Sequence, residues 1–558
     1  MRILLLCHGF NSLSQRLFVE LRECGHTVSV EFDVNDAVTR EAVALFRPDA
    51  VVASFLKRRI DEAIWRAVPC LIVHPGPLGD RGPAALDRAI LDGVPDWGVT
   101  VLQAADELDG GDIWHTARFP MRAATKGSLY RNEATEAAVA GVLAALAGLE
   151  RGARPTPLAR LQPDAPSGRW RPALGRAERA IDWQHDDTAT VLRKLRSADG
   201  MPGLRDDLGG RPLLLFDGRR AEGLRGKAGS LIARSGEALC RATVDGAVWL
   251  GRAKTVPETA DAPTLKLPAT TVLADLAAGL PEIPRAYRDL WYEERGKVGF
   301  LHFPFYNGAL STERAQRLLA ALRAAWARDT RVLVLTGGPD FWCNGIDLNA
   351  IEAADSAADE SWRAINAIDD VAEALITTER QLTIAALAGN AGAGGVFLAM
   401  AADLVWARCG VVLNPHYKSM GNLYGSEYWT YLLPRRCGQD HAQIVTGARL
   451  PTGTAEACRL GLIDAAFGHT VPEFEHLTAE RAALLAADPA FDAQLRDKRR
   501  RRSADEAVKP LAHYRAAELE RMRLNFYGFD PSYHVARYNF VFKVPKSRTP
   551  LFLARHRS

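Results

Sequence analysis

Glycine-rich turns at two places in this sequence have the composition of sites that bind negative charge. One is Gly389-Asn-Ala-Gly-Ala-Gly-Gly-Val-Phe-Leu-Ala-Met400, which runs into a segment that we predict to be an apolar helix. A glycine cluster that opens a helix presents unpaired backbone N–H groups together with the positive end of the helix dipole. The other is Phe341-Trp-Cys-Asn-Gly-Ile-Asp-Leu348, which follows a predicted strand from Val332 to Thr336. Two such turns can direct N–H donors at one thioester oxygen, as an oxyanion hole requires.

A histidine and an aspartate in the amino-terminal region are of the types that move protons. His74 directly follows a predicted strand, and Asp109 lies in the glycine-rich turn Glu107-Leu-Asp-Gly-Gly-Asp112. If these two side chains meet in space, the acid can orient the imidazole and stabilise its charged form. The alternative is a structural role, in which His74 bonds to a loop and Asp109 shapes the turn.

The segment His416-Tyr-Lys-Ser-Met-Gly-Asn-Leu-Tyr-Gly-Ser-Glu-Tyr-Trp429 holds a third set of reactive side chains. Because it precedes an apolar helix, we predict Ser426 as the N-cap residue and Glu427 as an acid in the first helical turn. The functional alternative is that Glu427, with Tyr417 and His416, acts on the carbonyl held by the glycine turns. The aromatic neighbours of Glu427 would then desolvate its carboxyl and raise its pKa.

The elements that position the amino-terminal pair follow from an alternation of short apolar runs with helix-like segments. The runs are Arg2 to Cys7, Thr27 to Phe32, Ala50 to Ala53 and Cys70 to Val73. This alternation predicts a parallel α/β sheet with helices on both faces, in which ligands bind at the carboxyl ends of the strands. His74 stands at such an end.

Chain length and two linkers predict three domains. A chain of 558 residues is too long for one core. Arg151 to Pro172, which is rich in arginine and proline, and Pro257 to Pro284 are predicted linkers that separate domains at 1–160, 170–260 and 285–558. Short segments with β periodicity predict that the middle domain is a small β structure.

The composition excludes several classes of protein. A net charge of +3 gives no basic face for nucleic acid, and 47% hydrophobic with 25% charged residues is ordinary for a globular protein. The eight cysteines are scattered without a CxxC pair, so we expect reduced thiols, no metal site and a cytoplasmic location. We expect no membrane segment, because no apolar run is long enough.

The two glycine turns, in this order, resemble those of the crotonase (enoyl-CoA hydratase/isomerase) superfamily, across roughly Gly299 to His469. The resemblance implies a crotonase fold that binds an acyl-coenzyme A (acyl-CoA) carbonyl. It places the oxyanion N–H groups on Ile346 and Gly394, with Asp347 as the capping acid of the first turn.

The sequence departs from that superfamily where hydratases carry two glutamates. Phe397 stands at the first of these positions, and His416, in Asn414-Pro-His-Tyr417, stands at the second. Hydration of an enoyl-CoA needs a carboxylate pair to hold water, so we do not expect ordinary hydratase activity. An isomerase that keeps one carboxylate stays open, as does the replacement of both glutamates by Glu427.

The first 150 residues, with His74-Pro-Gly-Pro, Asp80-Arg-Gly-Pro83 and the turn around Asp109, resemble formyltransferases that use 10-formyl-tetrahydrofolate. The resemblance implies a Rossmann-like domain in which His74 and Asp109 are catalytic. The folate-binding residues that it implies are Arg81, Gly82 and Asp112. The middle domain resembles the small β-barrel (OB-like) domain of methionyl-tRNA formyltransferase.

One position of the formyltransferase pattern is changed, because Ile72 replaces the family asparagine. Loss of one hydrogen-bond donor to a tetrahedral intermediate costs on the order of a hundredfold in rate. Three explanations stay open: slower catalysis, a substituting backbone group, or an acceptor that is a better nucleophile than an amine. A thiol fits the last explanation.

The fusion of the two halves resembles the HypX/HoxX family of nickel-iron hydrogenase maturation proteins over the whole chain. It implies formyl transfer from 10-formyl-tetrahydrofolate to CoA, and then decarbonylation of formyl-CoA to carbon monoxide for the hydrogenase active site. Other hydrogenase maturation proteins are the implied partners. Two alternatives remain: an amine formyltransferase with a CoA-binding second half, and a non-catalytic scaffold that carries folate or CoA cargo.

Overall fold

The computed structural model describes residues 1–161, 169–257, 259 and 262–557. Parts of both predicted linkers, Arg151 to Pro172 and Pro257 to Pro284, lie outside the described residues. The chain divides into two compact units, one formed by Met1–Tyr287 with Lys546–Ser558 and the other by Arg288–Pro545.

The first sheet has the strand order β2-β1-β3-β4-β5-β6, and its first four strands along the chain are those predicted. Its strands are β1 (Arg2–Cys7), β2 (Thr27–Phe32), β3 (Ala50–Phe55), β4 (Cys70–His74), β5 (Asp96–Gln103) and β6 (Ile113–Pro120). Strands β1 to β4 are parallel, as predicted, whereas β5 is antiparallel to both β4 and β6. The connection 104–112 joins β5 to β6 without a helix, and parallel strands would need a longer crossover.

Helices pack against this sheet, and polar side chains cap several of them. The helices are α1 (Ser12–Glu23), α2 (Asp36–Phe46), α3 (Glu62–Trp65), α4 (Ala85–Asp92), α5 (Lys126–Leu129), α6 (Thr135–Glu150) and α7 (Leu158–Leu161). Asn11 caps α1 and Asn35 caps α2, each accepting a backbone N–H of the first turn.

A second, antiparallel sheet follows in the first unit, with the order β7-β8-β11-β10-β9 and β12 paired with β11. Its strands are β7 (Leu204–Leu208), β8 (Arg211–Arg220), β9 (Leu231–Ser235), β10 (Ala238–Ala242), β11 (Ala247–Thr255) and β12 (Leu267–Pro268). Its accompanying helices are α8 (Arg176–Arg179), α9 (Thr188–Ala198), α10 (Ala269–Val272) and α11 (Ala274–Ala278). Closure of this sheet into an OB-like barrel stays a prediction.

The carboxy-terminal tail, Lys546–Ser558, groups with the first compact unit, and the division into domains at 1–160, 170–260 and 285–558 stays a prediction. The Val30 N–H of β2 donates to the Leu553 carbonyl at 3.0 Å. His556 Nε2 lies 2.8 Å from the buried Glu31 carboxylate. The tail thus completes the edge of the first sheet, a contact between residues far apart in the chain.

The second unit is built on two sheets. The larger, with the order β13-β14-β15-β17-β19-β21, is parallel apart from the β13–β14 hairpin. Its strands are β13 (Trp291–Arg295), β14 (Val298–His302), β15 (Val332–Thr336), β17 (Leu382–Leu387), β19 (Leu404–Ala407) and β21 (Ala465–Ala466). The smaller sheet pairs β16 (Phe341–Cys343), β18 (Asn390–Gly392) and β20 (Leu413–Asn414). It therefore brings the two glycine turns side by side.

Helices surround these sheets and form the carboxy-terminal extension. Those before the loop of Glu427 are α12 (Thr312–Trp326), α13 (Leu348–Glu352), α14 (Ala357–Thr377) and α15 (Gly394–Met400). Those after it are α16 (Trp429–Cys437), α17 (Gln439–Ala448), α18 (Thr454–Arg459), α19 (Val471–Ala487), α20 (Phe491–Val508), α21 (Leu511–Tyr527) and α22 (Ser532–Val541). One buried apolar cluster includes side chains from α12, α14, α15 and α21.

Candidate active sites

The predicted meeting of His74 and Asp109 is present in the structure, and a second acid joins them. His74 is the last residue of β4 and is buried. Its Nδ1 lies 3.5 Å from Asp109 Oδ2, and its Nε2 lies 3.0 Å from Asp80 Oδ2. Asp80 belongs to the motif segment Asp80-Arg-Gly-Pro83, but the sequence had predicted no role for its side chain. The two carboxylates hold the imidazole from both ring nitrogens, which fixes the direction in which it faces.

Backbone geometry makes this arrangement possible. Asp109 has a φ of +54°, a left-handed conformation that the neighbouring glycines help the turn to reach. A Cβ atom at Gly76 would lie 2.4 Å from both His74 Nε2 and Asp80 Oδ2, so the hydrogen bond between these two side chains requires glycine there. The Gly82 N–H donates to Asp109 Oδ2 at 3.1 Å and orients that carboxylate.

The residues predicted to bind folate lie around the same turn. Arg81 pairs with Glu107, whose carboxylate accepts from its guanidinium. The side chain of Asp112 is exposed, and its backbone carbonyl accepts the Gln103 N–H at 2.8 Å. Ile72, two residues before His74, packs against an apolar cluster of the sheet. Folate binding by Arg81, Gly82 and Asp112 stays a prediction.

In the second unit the two glycine turns converge through backbone contacts. A Cβ atom at Gly345 would lie 3.4 Å from the Gly394 nitrogen, and one at Gly395 would lie 2.0 Å from the Cys343 carbonyl oxygen. Within the described residues, neither the Ile346 N–H nor the Gly394 N–H donates a hydrogen bond to another protein group. Two unsatisfied donors on adjacent turns are what a carbonyl oxygen would need.

The predicted capping role of Asp347 is confirmed. Its Oδ1 accepts the backbone N–H groups of Asn349 at 3.0 Å and Ala350 at 3.3 Å, at the start of α13. The buried Arg314 guanidinium lies 3.4 Å from Asp347 Oδ2. Asp347 therefore holds the first glycine turn rather than facing the space between the turns.

Glu427 and Tyr417 form a buried pair beside this convergence. The Tyr417 hydroxyl donates to Glu427 Oε2 at 2.5 Å. A Cβ atom at Gly394 would lie 2.1 Å from Glu427 Oε1, so the carboxyl rests directly against Gly394. Burial and the nearby charge of Asp369 raise the pKa of Glu427, and burial raises the pKa of Tyr417. Such a raised carboxyl pKa is typical of groups that transfer protons near neutral pH.

His416 is nearby in sequence but does not join this pair by a hydrogen bond within the part of the chain that is described. Its Nδ1 is buried and has no hydrogen-bond partner there. Burial, with positive charges on Arg449 and Lys418, lowers the pKa of His416 to about 4. The ring is therefore a neutral imidazole, and a catalytic role for His416 stays a prediction.

The predicted N-cap at Ser426 is wrong. Helix α16 begins at Trp429, and the Ser426 hydroxyl instead lies 2.8 Å and 2.7 Å from the two carboxylate oxygens of Asp369. Glu427 and Tyr428 both have a φ of +59°, which keeps them out of the helix. Each left-handed residue costs roughly 1–2 kcal/mol, so the surrounding structure must impose it. The sequence carries one signal for this: Asp369 lies on the apolar, core-facing side of α14.

Phe397 occupies the position at which hydratases carry a glutamate. It is fully buried, and its ring stacks on Tyr417 with centroids 5.2 Å apart and an interplanar angle of 17°. An aromatic ring here offers no group to bind water. The hydroxyl of Tyr417, on which this ring stacks, donates its hydrogen bond to Glu427.

Two further features of the described residues concern metal binding and membrane insertion. No three histidine, cysteine, aspartate or glutamate side chains there come together as a metal site. No helix in the same part of the chain has the length and apolar character needed to cross a membrane.

Comparison with known proteins agrees with this two-part architecture. Residues 12–146 match the formyl transferase family model, and residues 300–523 match the enoyl-CoA hydratase/isomerase model. Hydrogenase maturation factor HoxX of Bradyrhizobium diazoefficiens is 59% identical over 559 aligned positions, which cover 100% of this chain and 97% of that protein. This chain belongs to the HypX/HoxX family of hydrogenase maturation factors.

A solved HypX structure extends the match to the whole fold. HypX from Aquifex aeolicus, crystallised with tetrahydrofolic acid, shares 47% identity with a TM-score of 0.96, covering 100% of this chain and 99% of that one. Methionyl-tRNA formyltransferase of Desulfotalea psychrophila is 32% identical, over 32% of this chain and 54% of its own length. The predicted fold class is confirmed: a Rossmann-like formyltransferase domain and a crotonase-fold domain in one HypX/HoxX chain.

Proposed function

We propose that this chain makes carbon monoxide for nickel-iron hydrogenase assembly, in two steps. The first moves a formyl group from 10-formyl-tetrahydrofolate to the thiol of CoA, and the second splits formyl-CoA into carbon monoxide and CoA. The observation that carries the proposal is the buried Glu427–Tyr417 pair, whose carboxyl rests against the Cα of Gly394, the residue with an unpaired N–H group. Other hydrogenase maturation proteins are the proposed recipients of the product.

In the first step, His74 donates its Nε2–H to Asp80 and accepts the proton of the CoA thiol at Nδ1, which makes no hydrogen bond within the described residues, as sulfur adds to the formyl carbon. The carbon–nitrogen bond to the folate then breaks, and the folate nitrogen takes the proton. Asp80 and Asp109 hold the imidazole in place through its two nitrogens. A thiol suits a site with Ile72, because thiolate is a strong nucleophile that depends less on a donor to the intermediate. The tetrahydrofolic acid bound by HypX from Aquifex aeolicus supports folate as the donor.

In the second step, the Ile346 and Gly394 N–H groups bind the formyl-CoA carbonyl oxygen and make the formyl C–H bond more acidic. The Glu427 carboxylate takes this hydrogen as a proton, the carbon–sulfur bond breaks, and carbon monoxide leaves. Glu427 then returns the proton to the CoA sulfur, so atoms and charge balance. Tyr417, whose hydroxyl donates to Glu427, holds the carboxylate during both transfers.

Water is the competitor in this second step, because hydrolysis of formyl-CoA gives formate. The stack of Phe397 on Tyr417 places apolar surface where hydratases hold water. Exclusion of water therefore favours loss of carbon monoxide over hydrolysis.

A labelled formyl donor tests both steps. Wild-type protein given CoA and [¹³C]formyl-tetrahydrofolate should release labelled carbon monoxide, whereas Glu427→Gln should accumulate labelled formyl-CoA. Glu520→Gln, a change of the same type at an exposed position of α21, is the matched control and should behave like wild type. Label found only in formate, or no labelled thioester in any variant, would contradict the proposal.

A second candidate is a non-catalytic scaffold that carries folate- or CoA-bound cargo to a hydrogenase maturation protein. Ile72 and Phe397 favour it, because each replaces a polar side chain on which the corresponding enzyme family depends. Unconsumed formyl donor in the same experiment would support the scaffold. Formylation of an amine without CoA would instead identify an amine formyltransferase.

A further inference from the structure

The loop that carries Glu427 is held by two buried carboxylates from distant helices. Asp369 of α14 accepts the Glu427 N–H at 2.8 Å through Oδ1. Glu518 of α21 accepts the Tyr428 N–H at 2.9 Å and the Thr430 N–H at 2.8 Å, one on each oxygen. Both carboxylates are 0% exposed. Carboxylates on two different helices thus bind the N–H groups of Glu427, Tyr428 and Thr430.

The backbone that these two carboxylates bind has a conformation that is unfavourable in the absence of such contacts. Glu427 and Tyr428 are consecutive non-glycine residues with a φ of +59° each. Left-handed residues of this kind persist only where surrounding contacts impose them, and they concentrate at functional sites. The N–H groups that point at Asp369 and Glu518 belong to these residues and to Thr430 close behind them.

A gain in stability does not explain why three buried acids lie close together in this region. Asp369, Glu427 and Glu518 are all buried, and burial together with the charge of Asp369 raises the pKa of both glutamates. Buried carboxylates that repel one another weaken a fold. Arg515 offsets part of this, with its guanidinium 3.9 Å from Asp369 and 2.7 Å from Asp370. An arrangement that costs stability and fixes one loop points to a role in activity.

We propose that Asp369 and Glu518 are positioning residues for decarbonylation, which hold residues 427–428 left-handed so that the Glu427 carboxyl rests against Gly394. This inference rests on the proposed function. It assigns neither residue any contact with substrate. Misplacement of a catalytic group by about 1 Å is enough to cost on the order of a hundredfold in rate.

The test uses the full chain and preformed formyl-CoA, with carbon monoxide release as the readout. Asp369→Ala and Glu518→Ala should each lower kcat by about a hundredfold and change KM by less than about threefold. Asp369→Asn keeps an oxygen acceptor for the Glu427 N–H and should recover to within about tenfold of wild type. Glu520→Gln removes an exposed acid from α21, the helix of Glu518, without touching the loop backbone, and should match wild type.

Formyl transfer to CoA by the same preparations reports whether each variant is folded. If an alanine variant does not fold, Glu518→Gln replaces it, since its amide can accept only one of the two N–H groups; the expected loss in kcat is about tenfold. Folded alanine variants with wild-type kcat would overturn the positioning role and leave the proposed function intact. Wild-type protein that releases no carbon monoxide from formyl-CoA would remove the proposed function itself, and the positioning role with it.

Discussion

The two candidate sites solve the same problem, the placement of a proton acceptor, by different means. In the first unit, side chains place His74: Asp80 forms a hydrogen bond with its Nε2 at 3.0 Å, Asp109 lies 3.5 Å from its Nδ1, and all three lie between residues 74 and 109. In the second unit, backbone places Glu427: its N–H group is held by Asp369, and its carboxyl rests against Gly394. A site whose side chains lie close together in the sequence can be recognised from a sequence motif. A site that depends on the conformation of the backbone is determined by contacts with residues far away in the sequence.

The largest expected effect comes from removing the proton acceptor of the second site. Glu427→Gln should lower decarbonylation of formyl-CoA by about a thousandfold, because the amide cannot take the formyl proton. Tyr417→Phe, which removes only a hydrogen bond to that carboxyl, should lower it by about tenfold. Carbon monoxide release from preformed formyl-CoA measures both. Formyl transfer to CoA should be unchanged in both variants, and a parallel loss there would contradict the separation of the two sites.

The first site should be sensitive to each acid that holds its histidine. Asp80→Asn should lower formyl transfer by about a hundredfold, as much as Asp109→Asn, because an amide cannot stabilise the imidazolium that forms during transfer. Production of formyl-CoA in a Glu427→Gln background gives the rate without loss of product. Full activity of Asp80→Asn would show that Asp109 alone orients His74.

Removal of the Phe397 ring, which packs on Tyr417, should change the product of the reaction and should not stop the reaction. Phe397→Ala removes a fully buried ring and should cost about 3–5 kcal/mol of stability by leaving a cavity. Water admitted beside the thioester should raise the ratio of formate to carbon monoxide several-fold. Quantifying both products from labelled formyl-CoA measures the ratio, with Phe397→Leu as a milder control. An unchanged ratio would mean that water is excluded elsewhere.

The last expected effect is on the pH dependence of stability and not on a reaction rate. Burial and the charge of Asp369 raise the pKa of Glu518 to about 8. The folded state therefore holds this proton more tightly than the unfolded state, so the free energy of unfolding falls as pH rises from the ordinary glutamate range towards that value. The slope reaches about 1.4 kcal/mol per pH unit for one such group.

Glu518→Gln should reduce this slope, because glutamine does not titrate. Urea unfolding at several pH values between about 5 and 8 measures the slope in the wild type and the variant. Glu520→Gln, an exposed change on the same helix, should keep the wild-type slope. Equal slopes in all three proteins would show that Glu518 is not a protonated buried acid.

The difference between the two sites also explains which features could be predicted from the sequence and which could not. The strands that lead to His74, its meeting with Asp109 and the facing glycine turns were all predicted, because each follows from local patterns of strand, turn and glycine. The assignment of Ser426 as an N-cap was wrong, because the sequence around it resembles a helix start while Asp369, far back in the chain, draws its hydroxyl away. The place of Leu553 beside β2 was missed for the same reason.

Carbon monoxide output from the purified full-length chain tests the central claim most directly. The protein is supplied with 10-formyl-tetrahydrofolate, with and without CoA, and the gas is detected by its binding to a haem protein. The proposed two-step function predicts carbon monoxide only when CoA is present. Consumption of the formyl donor without carbon monoxide, or carbon monoxide formed equally well without CoA, would contradict it.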